Sequence, residues 1–405
     1  MSRRALIFTI ILVIVLGTGI LFFLVGGKTP GGLPILSGLP FGEAPRDNGN
    51  PGGDFGNTSG TANTDSEGRS LAKFFRLVND PVAGFVSFIK NGSEMVRYVD
   101  RATGHVYDVN PNTLEKTKIF NTTQPKVYVA LWKPDASGFL ERSVPSNSDS
   151  VSNTSITLSL PKATSTDGFY VAQATLLRGD TGDMAIAADG SLLYVLRDTG
   201  AVLISSFLGE KPRTLLSLPF TDWRILPINS SSALLVTKAS IAAEGYAYTL
   251  NTKSGGLTKI LGPLNALTAV PSPDGRHIAY AYSDFGTIAF KVLNVANGVT
   301  SVITPATLPE KCVWSRKTPS VIYCGVPENG LGGNSPDSWY QGGANYSDKI
   351  WRFNTDTGTA EVILEPIKNF NTKVDAMSLE LSPDEDYLFF VNKDDLSIFA
   401  LKIAP

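Results

Sequence analysis

From residue 71 to its end, the chain consists of short runs rich in Val, Ile, Leu, Tyr and Phe. Clusters of Gly, Pro, Asp, Asn and Ser separate them roughly every 8–12 residues. That spacing predicts an all-β domain, in which strands of a few residues are returned by tight turns. A longer period of roughly 40 residues overlies the first and points to a propeller of four-stranded blades. The best-formed unit is 266–304. "ALTAVPS" predicts a first strand, "PDG" a turn, "RHIAYAYSD" a second strand, "GTIAFKVLNV" a third and "VTSVIT" an outer one. Pro273 presets φ for the turn, Asp274 can bond its own backbone, and Gly275 accepts a positive φ. "IAYAY" shows no strict polar alternation, as expected of a middle strand covered on both faces.

The same unit is read at 182–218, 311–364 (with an insertion), 222–261, 126–177, 82–120 and 375–403. The last contains only three strands. The apolar run "LAKFFRLV", residues 71–78, is expected to supply its outer strand, joining the two chain ends and hiding sheet edges. The expected fold is therefore all-β, a seven-bladed β-propeller over 70–405. Six or eight blades are the alternatives, because 126–177 is loosely spaced.

"SPDGRHIAY" (272–280) and "SPDEDYLFF" (382–390) resemble the core motif of TolB-like, WD40-like propeller repeats of bacteria. The resemblance is strongest over 180–304 and 375–403. The Gly-His and Trp-Asp dipeptides of true WD40 repeats are missing from the expected places. The resemblance implies an extracytoplasmic propeller that works as a binding platform, and no partner-binding residue carries over from it.

The N-terminus changes the picture. "MSRR" precedes "ALIFTIILVIVLGTGILFFLV", 21 uncharged residues at 5–25. As a helix these would span about 30 Å, the thickness of the hydrocarbon core. A cleaved signal peptide is the rival reading, but its apolar region is usually shorter and ends in an A-x-A-like site. With Arg3 and Arg4 held in the cytoplasm, everything after Val25 lies on the extracytoplasmic side. Residues 26–60 then hold 16 Gly or Pro in 35 positions. Such a segment cannot offset its chain entropy by burial, so 26–69 is read as a flexible tether with an r.m.s. span of roughly 35–40 Å. The expected organisation is a cytoplasmic stub and single-pass anchor (1–25), a linker (26–69) and a propeller. The membrane partner is engaged through 5–25.

Charge and motifs then narrow the function. A net charge of −2 with 18% charged residues leaves no basic stripe, which argues against nucleic acid. The two His, His105 and His277, fall on predicted strands far apart in sequence. No G-x-S-x-G, P-loop, H-E-x-x-H, EF-hand loop or sialidase-type box occurs, so no catalytic, cofactor or metal residue is assigned. The acidic turn "RGDTGD" (178–183) could hold a cation, but loop solvation explains it more cheaply. Six N-x-S/T sequons, at Asn57, Asn91, Asn121, Asn153, Asn229 and Asn345, are expected by chance in so Ser/Thr/Asn-rich a chain.

Cys312 and Cys324 are the only cysteines. In the hairpin "CVWSRKTPSVIYC", a turn centred on Thr318 pairs residues whose numbers sum to 636. Cys312 then lies opposite Cys324, and an exported location allows the disulfide. Two buried free thiols are the alternative.

The most distinctive segment is "GVPENGLGGNSPDSWYQGGANYSDKIW", 325–351, between the second and third strands of its blade. Such loops share a face with the connections between blades. Asp337, Trp339, Tyr340, Gln341 and Tyr346 are the candidate partner-binding residues, because aromatic loop residues give contact area at low entropy cost. The competing reading folds the loop back onto its own blade or into the central channel. The expected function is an interaction module of the cell envelope that binds a protein, peptide or glycan. The alternative is a propeller lyase or hydrolase with its site at the channel.

Overall fold

The computed structural model describes residues 72–145, 150–160 and 168–404. The proposed anchor (5–25) and linker (26–69) lie outside these residues.

Seven antiparallel sheets of four strands make up the described fold, a seven-bladed β-propeller. β1 is Phe74–Val78. The first blade then runs from β2 (Val82–Lys90) through β3 (Ser93–Asp100) and β4 (Val106–Val109) to β5 (Lys116–Phe120). The second contains β6 (Val127–Trp132), β7 (Gly138–Ser143), β8 (Ser152–Ser159) and β9 (Val171–Leu176). The third comprises β10 (Thr181–Ile186), β11 (Leu192–Leu196), β12 (Ala201–Ser205) and β13 (Arg213–Ser217). The fourth holds β14 (Trp223–Asn229), β15 (Ser232–Thr237), β16 (Glu244–Asn251) and β17 (Leu257–Asn265). The fifth spans β18 (Thr268–Pro271), β19 (His277–Asp284), β20 (Thr287–Asn294) and β21 (Thr300–Val302). The sixth is β22 (Cys312–Trp314), β23 (Val321–Pro327), β24 (Asp348–Asn354) and β25 (Thr359–Leu364). The seventh contributes β26 (Ala376–Leu381), β27 (Tyr387–Asn392) and β28 (Ile398–Lys402), and β1 completes it by pairing antiparallel with β28.

The core is distributed around this ring. Each pair of neighbouring blades encloses its own apolar cluster, and seven clusters close the circle. β19 shows how. Ile278 and Tyr280 pack toward the fourth blade, while Ala279 and Ala281 pack toward the sixth. A strand so sandwiched has no solvent face, which is why "IAYAY" does not alternate. Val78, Val82 and Phe389 meet in one cluster, so burial as well as pairing joins the two ends of the domain.

Strand direction assigns the two faces. Turns between the first and second strands of the blades, including Ser272–Arg276 and Ser382–Asp386, lie on one face. Connections between blades and between second and third strands lie on the other. The domain begins on the turn face: the Lys402 N–H donates to the Lys73 carbonyl, and the Ile403 N–H to that of Asp386.

Candidate functional site: a roofed channel mouth

β23 and β24 pair out to Pro327 opposite Asp348, and the 328–347 insertion leaves from this point, on the face opposite the domain's entry. Its one turn of helix, α1 (Asp337–Tyr340), begins after Pro336. Glycines at 330, 332, 333 and 342 flank it, each with open space where a Cβ would stand.

The insertion is seated on buried charge. Lys311 is wholly buried, with its Nζ 2.7 Å from Asp348 Oδ2 and paired also with Asp375 Oδ1; both carboxylate side chains are 0% exposed. Asp375 accepts the indole N–H of Trp339 at 3.0 Å and the backbone N–H of Tyr346 at 3.0 Å. Asp348 Oδ2 accepts the Ala376 N–H at 2.7 Å. The Lys311 ammonium lies 5.0 Å from the Trp339 ring centroid and 5.5 Å from that of Tyr346, within cation–π range. Burial pushes the Asp348 carboxyl up to about 6, against the pull of Lys311.

From this seat the insertion reaches other blades. Asp337 Oδ2 accepts the Ile241 backbone N–H at 2.7 Å, on the β15–β16 connection. The Tyr340 hydroxyl donates to Glu310, which also receives Thr268 and, at 2.6 Å, Arg224 Nη1. Burial, reinforced by the Glu310 charge, holds the Tyr340 phenol well above its ordinary range, so it stays protonated and donates. Tyr340→Phe deletes this latch without touching the Trp339 seat. Amide exchange across 334–346 is expected to quicken about tenfold, with the blades unchanged, because a hydrogen bond to a charged group contributes about 1.5–3 kcal/mol.

Beneath this roof is a cavity of about 710 Å³, walled by Arg224, Leu226, Glu310, Asp337, Trp339 and Tyr340 among others. It adjoins a second space of about 720 Å³ that follows the first strands of five blades along the channel. The two share Asp183, Arg224, Leu226 and residues 377–379. Volumes of this order suit a small molecule or a few residues of a polymer.

The structure brings Asp337, Trp339, Tyr340 and Gln341 to one cavity wall and sets Tyr346 apart, hydrogen-bonded to Ser335. Trp339 is buried, 6% exposed, whereas Tyr340 is 41% exposed. Trp351, at the end of the insertion as read from sequence, belongs to β24 and stacks on Phe353. Phe220, Ile241 and Phe285 are exposed on the roof face and carry no sequence signal beyond being apolar in turns. Cys312 and Cys324 are bonded and directly opposed in the register that sums to 636. His105 bonds Thr123, His277 stacks on Trp314, and neither lines the channel cavities. In the turn at 178–183, Arg178 pairs with Asp180 at 2.5 Å, while Asp183 accepts the Ile225 N–H at 2.8 Å. Among the described residues no three His, Cys, Asp or Glu side chains converge as a metal site requires.

No protein-family model matches this chain, and no curated protein matches it. Solved structures do. An oligogalacturonate lyase in complex with manganese is 10% identical with a TM-score of 0.55, covering 82% of this chain and 93% of that one. The oligogalacturonate lyase of Vibrio parahaemolyticus gives the same values. The likeness is one of fold. TolB from Acinetobacter baumannii is 14% identical with a TM-score of 0.41, over 64% of this chain and 59% of that one, too distant to carry an argument. The manganese belongs to the lyase.

Proposed function

We propose that this protein is a membrane-anchored, extracytoplasmic binding module of the cell envelope that takes its ligand in the roofed cavity at the channel mouth. The observation that carries the reading is the insertion itself. A buried Lys311–Asp348–Asp375 cluster is devoted to fixing Trp339, so that α1 stands over a cavity of about 710 Å³. Fixing a wall in advance lowers the ordering cost of binding. The roof face supports it too. The exposed Tyr340, Phe220 and Phe285 give that face aromatic contact area.

Leu226→Trp would fill the junction of the two cavities. On arrays of peptides and glycans, the full chain is expected to retain ligands that this variant loses at an unchanged melting temperature. Equal retention, or none by either protein, sinks the reading.

The alternative is an enzyme acting at the channel. In its favour, Asp183 and Glu310 both lie beside Arg224 at the mouth. Against it, the Tyr340 phenol is held protonated, so it is not free to act as a base. Turnover that Asp183→Asn abolishes while ligand binding survives would favour the enzyme.

A further inference from the structure

One inner strand breaks its own ladder at the point where the two cavities meet. Met377 opposes Val391 and Glu380 opposes Phe389, so Ser378 and Leu379 together face Phe390, a β-bulge in β26. Ser378 stands there at a φ of 50°, in the left-handed region. Every other described non-glycine residue with a positive φ lies in a turn or connection; Ser378 alone has it inside a strand. Glycine is the usual occupant of a left-handed position in a bulge, having no Cβ to strain. A serine keeps a hydroxyl there at a conformational cost that glycine would avoid. Met377, Ser378 and Leu379 line both cavities. β26 ends its sheet on the channel side, and Ser378 is exposed there with a hydroxyl that bonds no other described residue. The charges around it are balanced. Asp183, Glu310, Asp337 and Glu380 carry the negative charge of the two walls, and Arg101, Arg224, Lys238 and Arg316 the positive. Two buried wall groups stay unpaired, one of each kind: Glu310 Oε2 accepts from no described residue, and the Trp132 indole N–H donates to none.

Resting on the reading of the channel mouth as a ligand site, we infer that Ser378 holds the ligand at the junction of the two cavities. The ligand is uncharged and meets the serine with a hydroxyl or an amide of its own. A serine hydroxyl both donates and accepts, so it pairs with either group. A net charge on the ligand would upset the balance of the walls in a space partly shut off from water, where unmatched charge is costly. Leu226, Ala269 and Val270 provide apolar wall for the body of the molecule. The pairing group can come from a neutral sugar or from a neutral peptide, since the recognising chemistry is the same.

The test uses the full chain in detergent and calorimetric titration with a neutral hexose trimer and with end-capped triglutamine; a uronic-acid trimer and end-capped triglutamate are the charged counterparts. One neutral probe is expected to bind, and which one identifies the source. Its charged counterpart should bind at least about tenfold more weakly, since it brings unmatched charge into the cavities. Ser378→Gly removes the hydroxyl and frees the backbone of its Cβ. It should weaken the neutral probe about fivefold, what one neutral hydrogen bond contributes, at a melting temperature unchanged or raised. Ser378→Ala, which loses the hydroxyl but keeps the Cβ, should lose the same affinity without the gain in stability. Failure of both neutral probes, equal binding of the charged ones, wild-type affinity in either variant, or a lowered melting temperature in Ser378→Gly overturns the inference. The cavity reading fails separately: ligands lost in Leu226→Trp but held at wild-type affinity by Ser378→Gly leave it standing and remove only the role of the serine.

Discussion

Lys311→Met should destabilise the propeller by about 3–5 kcal/mol at neutral pH, the usual cost of removing one partner from a buried ionic cluster. The methionine fills nearly the same volume, so packing contributes little. What remains is two wholly buried carboxylates, Asp348 and Asp375, facing each other without their cation. Trp339 and Tyr346 hang on Asp375, so the roof should loosen with the blade. Protonation of Asp348 relieves the repulsion, and because its carboxyl rises further above the ordinary range once Lys311 no longer pulls it down, the deficit should shrink as pH falls. Adding Asp348→Asn and Asp375→Asn should recover most of the loss, because the penalty belongs to the unpaired charges and not to the missing amine. Urea midpoints for wild type, the single variant and the triple variant check this. A loss under about 1 kcal/mol in the single variant would show the cluster to be solvated in practice.

The ring was legible because its causes are local. Turn chemistry such as Ser-Pro-Asp-Gly and the lengths of apolar runs set the strands, and the unit 266–304 became β18–β21, Thr268–Val302. The opposition of Cys312 and Cys324 followed from register alone, since one centred turn determines every opposed pair in its hairpin. The site was only partly legible. The insertion announced itself by length and aromatic content, but its seat did not. Lys311 stands in "PEKCVW", where a lysine reads as a surface residue, and its partners are 37 and 64 residues further on. Trp339 illustrates the same limit: an indole on a loop has an exposed and a buried use, and Asp375, on another blade, decides for burial. Arg101 and Arg224 meet one cavity from separate blades, 123 residues apart. No motif encodes that shared wall; ring closure creates it.

A second buried group gives stability a pH dependence opposite in sign to that of most carboxylates. Glu141 sits on β7, 2% exposed, on the face that Phe139 turns toward the first blade. Burial pushes its carboxyl from 4.5 up to about 7, and a hydrogen bond with Ser143 only partly offsets this. The folded value is raised above the unfolded one, so between them the native state binds more protons than the unfolded chain. Stability from this group is therefore flat below about pH 4.5, falls as pH rises through the interval, and is lost in full above about 7. The loss comes to about 3 kcal/mol at one pKa unit per 1.36 kcal/mol. Glu141→Gln keeps the shape and removes the proton equilibrium. The variant should match wild type near pH 5 and exceed it by about that amount at pH 8, whatever Asp183, Glu94 and Glu380, also raised by burial, add to both curves. Chemical denaturation at pH 5, 6.5 and 8 reads the difference directly. Parallel curves would mean that water or a shifted backbone already solvates the Glu141 carboxylate, and that the interface between the first two blades is looser than its packing implies.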